Sequence, residues 1–411
     1  MADSNKQQLA YLRETTWGAA VSSAMNIIPW VSGSMTAGVE SVRSSTIRSD
    51  AQLADSIHTG ESPSGSFDFE MVADTYDDFL RSAIRSDADW STAGGATGAG
   101  TSVVSGSKIQ ISNVHSNTVI GQWVYVSGFN QSTTNGWKKV VDNTTNNEIS
   151  VSPAIQTAES GTSGCTVSGS YIKNGTTSGS YQFAQYYSDL GDSGGAKYKH
   201  LSGARLNSTT LSMSPNGIPS LNIGFDGKDL SQASAWFGNG SASNVAEKTV
   251  YAETTAFNGL FISDDAGTAK AYAEVSEDVL ENTISIGTNN RTQKGLGSLT
   301  RTGLAQDAVA PSGSIQFYVN DATWLYEGDL LAMTPLSMAF ALNLGTSSGT
   351  TDRYLIEFPK IRFTSEPGNN GGVDTDLVYS FDWAGEAGGV WNATSATTTG
   401  STDYTCVISK V

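Results

Sequence analysis

The chain has few of the residues from which chemical sites are usually built. Its 411 residues include two cysteines, Cys165 and Cys406, and three histidines, His58, His115 and His200. The cysteines stand in different regions without metal-binding spacing, so a zinc cluster is excluded and two free thiols in a reducing cytosol are expected. The histidines share no motif, which removes them as a metal set and leaves them as surface or loop residues. Cations are scarce too: 23 Lys and Arg face 40 Asp and Glu, a formal net charge of −17. A nucleic-acid clamp neutralises phosphates with Lys and Arg, so tight DNA binding is excluded. Such an acidic surface either lets DNA pass without holding it or simply keeps the protein soluble. No apolar run approaches the roughly 20 residues needed to span a bilayer, and residues 1–30 lack the marks of a secretory signal. The expectation is a protein made in a cytoplasm, with no membrane partner.

What is abundant is turn chemistry. Gly is frequent at 44 residues, Ser, Thr and Asn dominate the polar positions, and only 15% of residues are charged, the composition of short strands joined by many turns. The expected class is all-β, in a chain long enough for two or three domains. Pro63-Ser64-Gly65-Ser66-Phe67-Asp68-Phe69 returns as Pro311-Ser312-Gly313-Ser314-Ile315-Gln316-Phe317. Each copy reads as a turn entering a strand of alternating apolar residues, then a Tyr and an acidic residue followed by Leu: Tyr76-Asp77-Asp78-Phe79-Leu80 and Tyr326-Glu327-Gly328-Asp329-Leu330. Either one β-rich unit occurs twice or a common turn recurs by chance, and the shared strand phase favours duplication.

Three regions are expected: 1–95, with a long polar loop at 35–62; 100–168, a compact inserted β module behind a Gly/Ala/Ser/Thr linker; and 169–411, which resumes the main architecture. A helix is expected over Tyr76–Arg85, with Asp77 and Asp78 favoured in its first turn by the helix dipole. A second short helix is expected over Asp229–Phe237, and Asn174-Gly175 reads as a hairpin turn. Further strands are expected at Leu206–Met213, Leu221–Phe225, Thr283–Ile286, Ile315–Val319, Leu336–Leu344, Tyr354–Phe363, Leu377–Trp383 and Tyr404–Ile408.

No constellation carries catalysis. Asp74, Asp77 and Asp78 are explained by a helix start rather than by paired acids. Asp264-Asp265 and Asp374-Thr375-Asp376 sit in turns without a full calcium-loop signature. Gly295-Leu296-Gly297 lacks the setting of a dinucleotide loop. Neither an enzymatic role nor a cofactor is expected.

Several segments together resemble the tail tube proteins of long-tailed, siphovirus-like bacteriophages: Arg13-Glu14-Thr15-Thr16-Trp17-Gly18, Ser44–Gln52, Ser64–Glu70 with Tyr76–Leu80, Tyr171–Thr176 and Tyr354–Ile361. The resemblance implies duplicated β-sandwich or β-barrel units, each with a short flanking helix, plus a small inserted domain decorating the outside. It also implies subunits whose inner strands join into rings, rings that stack into a tube for the genome, and long loops that bridge rings. A doubled unit would let three chains supply six pseudo-equivalent positions; a ring of six chains is the alternative. The partners implied are further copies of the chain, the tape measure protein, tail tip and terminator proteins, and DNA passing without tight binding. The implied location is the virion tail, assembled in the host cytoplasm. On this frame Asp68, Glu70 and Gln316, which alternate with Phe67, Phe69 and Phe317, are expected to face the channel. The loop charges Arg43, Arg48, Asp50 and Asp55 are expected at the contact between rings. The rival expectations are a surface adhesin, with Trp123, Tyr125 and Trp137 binding carbohydrate rather than forming a core, and a β-rich polysaccharide lyase or hydrolase.

Overall fold

The repeated heptad folds as two strands of one sheet, and almost everything around each copy is repeated as well. A computed structural model describes the chain apart from residues 1–2, 51, 53–54, 91–97, 106, 112–113, 115–117, 133, 146, 156–158, 191–196, 247, 264–271, 322, 348–349, 366–374 and 393–400. The first series runs β1 (Gln7–Arg13), β2 (Met25–Ile28), β3 (Ser32–Thr36), a hairpin of β4 (Val39–Arg43) and β5 (Ser56–Glu61), β6 (Ser64–Glu70) and helix α1 (Asp77–Ala83). Six strands follow: β7 (Gly98–Ser105), β8 (Lys108–Gln110), β9 (Trp123–Ser127), β10 (Gly136–Thr145), β11 (Glu148–Ser152) and β12 (Glu159–Ser168). The series resumes with β13 (Ser170–Lys173), β14 (Tyr181–Tyr187), β15 (Tyr198–Met213), β16 (Ser220–Asp226), β17 (Asp229–Ala233) and β18 (Ala242–Asn244). The second series is β19 (Phe257–Ser263), β20 (Ala273–Glu274), β21 (Val279–Gly287), a hairpin of β22 (Asn290–Gln293) and β23 (Gly303–Gln306), β24 (Ala310–Tyr318) and helix α2 (Leu325–Ala332). It closes with β25 (Leu336–Ser347), β26 (Thr350–Phe363), β27 (Val378–Gly385), β28 (Gly388–Asn392), β29 (Ser401–Tyr404) and β30 (Val407–Lys410).

The inner layer is antiparallel, in the order β3-β6-β16-β15-β21-β24-β27, with the end of β26 added through Ile361↔Gly385 to Phe363↔Trp383. Its first four strands belong to the first series and the rest to the second. They meet at β15 and β21, from Ser208↔Gly287 to Met213↔Asn282. The long strands β15 and β26 pass from one layer to the other. The early part of β15 pairs with β14 and β17, that of β26 with β25 and β30, so each series is a sandwich sharing one strand between its layers.

The alternating apolar positions of the heptads point between the layers. Phe67, Phe69, Phe183 and Phe225 are fully buried in the first sandwich, as are Ile315, Phe317, Phe358 and Phe381 in the second, each burial stabilising by roughly 1.5–3 kcal/mol. The glycines mark the same closure twice. A Cβ on Gly65 would stand 2.1 Å from the Ser34 carbonyl oxygen and 2.8 Å from the Phe225 ring; on Gly313 it would stand 2.1 Å from the Thr283 carbonyl and 2.7 Å from Trp383.

Strands β7–β12 form a closed barrel with its own core, including Ile109, Val124, Val126, Val140, Val151 and Val167. The barrel leaves the chain after α1 of the first series but sits on the outer layer of the second. There Trp123 and Trp137, both buried, pack with Phe261, Tyr272, Ala339, Ala341 and Leu355. Lys139 of the barrel pairs with Glu357 of β26, which is 0% exposed and also accepts from Tyr272 (2.6 Å) and Tyr404 (3.2 Å). The aromatic residues weighed as a sugar platform therefore serve as a joint between domains.

Several expectations fail for local reasons. The Asp229–Phe237 helix is instead strand β17, because its apolar spacing also suits a sheet edge and β15 offers one; Trp236 then packs on Tyr198 and Phe237 on His200. Asn174-Gly175 makes no hairpin: β13 pairs with β30, and Asn174 Oδ1 takes the Thr405 N–H at 2.7 Å, which also splits the expected Tyr404–Ile408 strand into β29 and β30. The far end of the Gly-rich linker is strand β7, held by β12 and β8. His200 is buried rather than superficial, stacked 3.9 Å from Phe237, and burial pushes its pKa down to about 4. His58 lies in exposed β5, while His115, Asp264-Asp265 and Asp374 lie outside the described residues. Both cysteines are buried and neither is in a disulfide; the Cys165 thiol donates to the Gly128 carbonyl at 3.3 Å.

Candidate assembly surfaces

Alternation along the inner strands leaves one face of the layer away from the core, and that face is built from small polar residues. It carries Ser32, Ser34 and Thr36 on β3, Ser66, Asp68 and Glu70 on β6, Asn222 on β16, Ser208, Thr210 and Ser212 on β15, Thr283 and Ser285 on β21, Ser314 and Gln316 on β24, and Ser380 on β27. Asp68, Glu70 and Gln316 thus share this face. Asp68 is tied across both neighbouring strands, to Ser32 (2.5 Å) and Asn222 (2.6 Å). Asp226, Glu281 and Asp382 join the same face and were passed over in the sequence, although their alternation with Phe225, Ile284 and Phe381 was visible there. None of β3, β6, β16, β21, β24 and β27, nor Leu206–Met213 of β15, contains Lys or Arg; cations enter the face at its margins, with Arg205 opposite Asp226 and Arg362 opposite Ala384.

Both hairpins project from the same end of this layer and touch each other. Lys294, between β22 and β23, pairs with Glu40 of β4 (3.0 Å) and bonds the Thr59 carbonyl (3.1 Å); a hydrogen bond from Ser62 and then Lys294 hold the Glu40 carboxyl below its usual range. Arg301 is buried between the Pro63 and Gly227 carbonyls, anchoring the second hairpin to the first series. Arg48 pairs with Asp50 of the same loop at 2.8 Å, Arg43 ends β4 opposite Ser56, and the Asp55 carbonyl accepts from Ser44. The four loop charges therefore do not converge on one site. Between them the hairpins carry exposed Val39, Val42, Ile47, Ile57, Leu296 and Leu299, and the opposite end of the layer carries exposed Val31, Ile218, Tyr318 and Leu377.

Where the two series meet outside the inner layer, the contact carries a cluster of ion pairs beside the edge-on packing of Trp90 on Tyr354. Lys410 of β30 reaches Asp74 (2.9 Å) and Asp77, Lys248 reaches Asp74 (3.1 Å) and Asp352 (3.3 Å), and Tyr354 donates to Asp77 at 2.6 Å. Desolvation raises the Asp77 carboxyl in spite of Lys410, whereas at Asp74 the two lysines outweigh desolvation and hold it low. The Ala73 N–H also bonds the Leu344 carbonyl at 3.0 Å.

Among the described residues no group of three or more His, Cys, Asp or Glu is arranged to hold a metal ion, and no helix is long and apolar enough to cross a membrane. No curated protein matches the chain. The family model for phage tail tube protein matches residues 4–385, spanning both sandwiches and the barrel between them. With nearly the whole chain matched and a mostly β architecture, the protein belongs to the phage tail tube protein family, a structural component of the virion tail.

Proposed function

We propose that three copies of this chain close a ring through their inner layers, that rings stack into the tail tube, and that the polar face lines the channel through which DNA is ejected. The observation that carries this reading is the side-by-side placement of two four-strand units in one layer, with β3 at its outer edge. An unpaired edge is an aggregation hazard in a monomer and a polymer contact in an assembly, and ring closure removes it. Six units from three chains make threefold rings with pseudo-sixfold symmetry; six chains would make a wider ring. The lining would be acidic and hydroxyl-rich, its cations being few and ion-paired, Arg362 with Glu386 and Arg301 with Asp226, so that little on it would hold phosphates.

Rings would stack head to tail, the exposed apolar residues of the hairpins meeting those at the far end of the next ring, since a heterologous contact that does not close continues as a filament. On this reading the molecule divides into a first tube unit, a barrel on the outer wall at about 100–168, and a second unit in the remainder. The tape measure and terminal tail proteins meet the tube at its interior and its ends, and the role is non-enzymatic. Negative-stain electron microscopy of the concentrated, mildly warmed protein tests the reading. Hollow tubes of stacked rings with three outer knobs per ring are expected; rings with six knobs, or particles that stay monomeric at every concentration, would overturn it.

A further inference from the structure

Helices α1 and α2 occupy equivalent places but present opposite chemistry. α1 lies over β15 at the junction of the two series, and α2 lies by β26, whose end stands last in the inner layer. Aligning Tyr76 with Tyr326 and Leu80 with Leu330 puts Trp324 where Asp74 stands, Leu325 at Thr75, Leu331 at Arg81 and Met333 at Ala83. In α1 the residues Phe79, Leu80, Ser82 and Ala83 are buried, and Asp74 and Asp77 are engaged by Lys248, Lys410 and Tyr354 of the following segments. In α2 only Leu330 is buried, whereas Leu325 is 66% and Leu331 75% exposed, with Trp324 and Met333 also exposed.

We infer that a second copy of this chain covers the apolar face of α2 with the corner after its β14, around Tyr187 and Leu190. The internal junction is the template. There the segment before α1 meets β25 at Leu344. The registers that make Phe183↔Leu201 the counterpart of Met338↔Phe358 put the first-series equivalent of Leu344 in the turn after β14, beside exposed Leu190. The seam inside a chain thus carries ion pairs at the place where α2 offers Trp324, and the corner proposed to meet α2 sets Tyr187 and Leu190 beside Asp189. This inference rests on the ring reading proposed above, and it adds which surfaces meet and what holds them.

The test uses the full chain in two forms. Leu325→Ser/Leu331→Ser removes the apolar face without adding charge, and because both side chains are exposed, its unfolding midpoint should match that of the wild type. Sedimentation velocity should show the concentration for ring formation raised at least about tenfold in the variant, and wild-type rings should persist as NaCl rises from about 0.1 to 1 M, where screening would dissolve an ionic seam. In a Trp324→Cys/Leu190→Cys chain, a short bismaleimide should yield covalent dimers and trimers, since Cys165 and Cys406 are buried. If the wild type forms no ring, the ring reading itself fails. If the wild type forms rings but the double Ser variant forms them equally well and no cross-link appears, the ring reading stands and the seam assigned here is wrong.

Discussion

Replacing Lys139 by Met would take from the Glu357 carboxylate, which has no exposed surface, the cation it pairs with, leaving it bonded to the hydroxyls of Tyr272 and Tyr404. Removing one partner of a buried ion pair costs about 3–5 kcal/mol, because the remaining charge is uncompensated. That is a large fraction of the stability of an ordinary domain. The loss should fall on the joint between barrel and second sandwich, so urea unfolding followed by tryptophan fluorescence, to which Trp123 and Trp137 contribute among nine tryptophans, is the assay. Lys139→Met/Glu357→Gln should recover most of the loss, because Gln can bond both tyrosine hydroxyls and no charge is stranded. The two partners are in contact, so the single effects should not add. A single variant losing under about 1 kcal/mol, or a double variant no better than the single, would refute the claim that charge pairing holds the joint.

His200 should make the protein pH-sensitive. Its folded pKa lies below its unfolded value, so the unfolded chain takes up a proton that the folded one refuses, and stability should fall as pH drops from about 6.5 toward 4. His200→Phe should flatten that part of the profile in urea titrations at stepped pH. Gly65→Ala and Gly313→Ala should each destabilise by about 1–3 kcal/mol, since the added methyl meets a neighbouring strand carbonyl and an aromatic ring; chemical denaturation showing one harmless and one severe would argue against equivalent places. Virions carrying Asp68→Lys/Glu70→Lys should still form tails but release DNA more slowly, and unchanged infectivity would contradict a channel-facing role. Replacing Arg43–Glu61 by a short Gly/Ser link should leave soluble protein that does not polymerise; normal tubes would remove the first hairpin from the contact between rings.

How legible the fold was depended on how far apart its partners lie. The heptads could be read because Phe67 and Phe69, like Ile315 and Phe317, alternate within seven residues and a single core fixes their phase. α1 could be read for the same reason, with Asp77 and Asp78 at its start and an apolar stripe behind them. Pairings across the chain could not be read. Nothing local reveals that Lys139 would find Glu357, that Arg301 would lie between Pro63 and Gly227, or that Asn174 would bond Thr405 instead of turning a hairpin. Asp229–Phe237 was misread because five residues of mixed spacing fit a helix face and a sheet edge alike, and β15 decided between them. Asp68, Glu70 and Gln316 were traceable to the open face by alternation, and the same rule would have added Asp226, Glu281 and Asp382. Of the loop charges, Arg48 and Asp50 pair with each other two residues apart.

The single barrel has a consequence for how such a molecule can change over generations. Six separate one-domain subunits in a ring are bound to be identical, so any appendage must be tolerated at all six positions at once. Once two domains share one polypeptide, each can drift on its own, and an insertion accepted by one need never fit the other. Here the barrel springs from the first domain while Lys139 and Trp123 grip the second. On the three-chain ring proposed above, joining two units in one chain would do more than halve the number of parts: it would give the chain a place where one half can be specialised to carry what the other supplies.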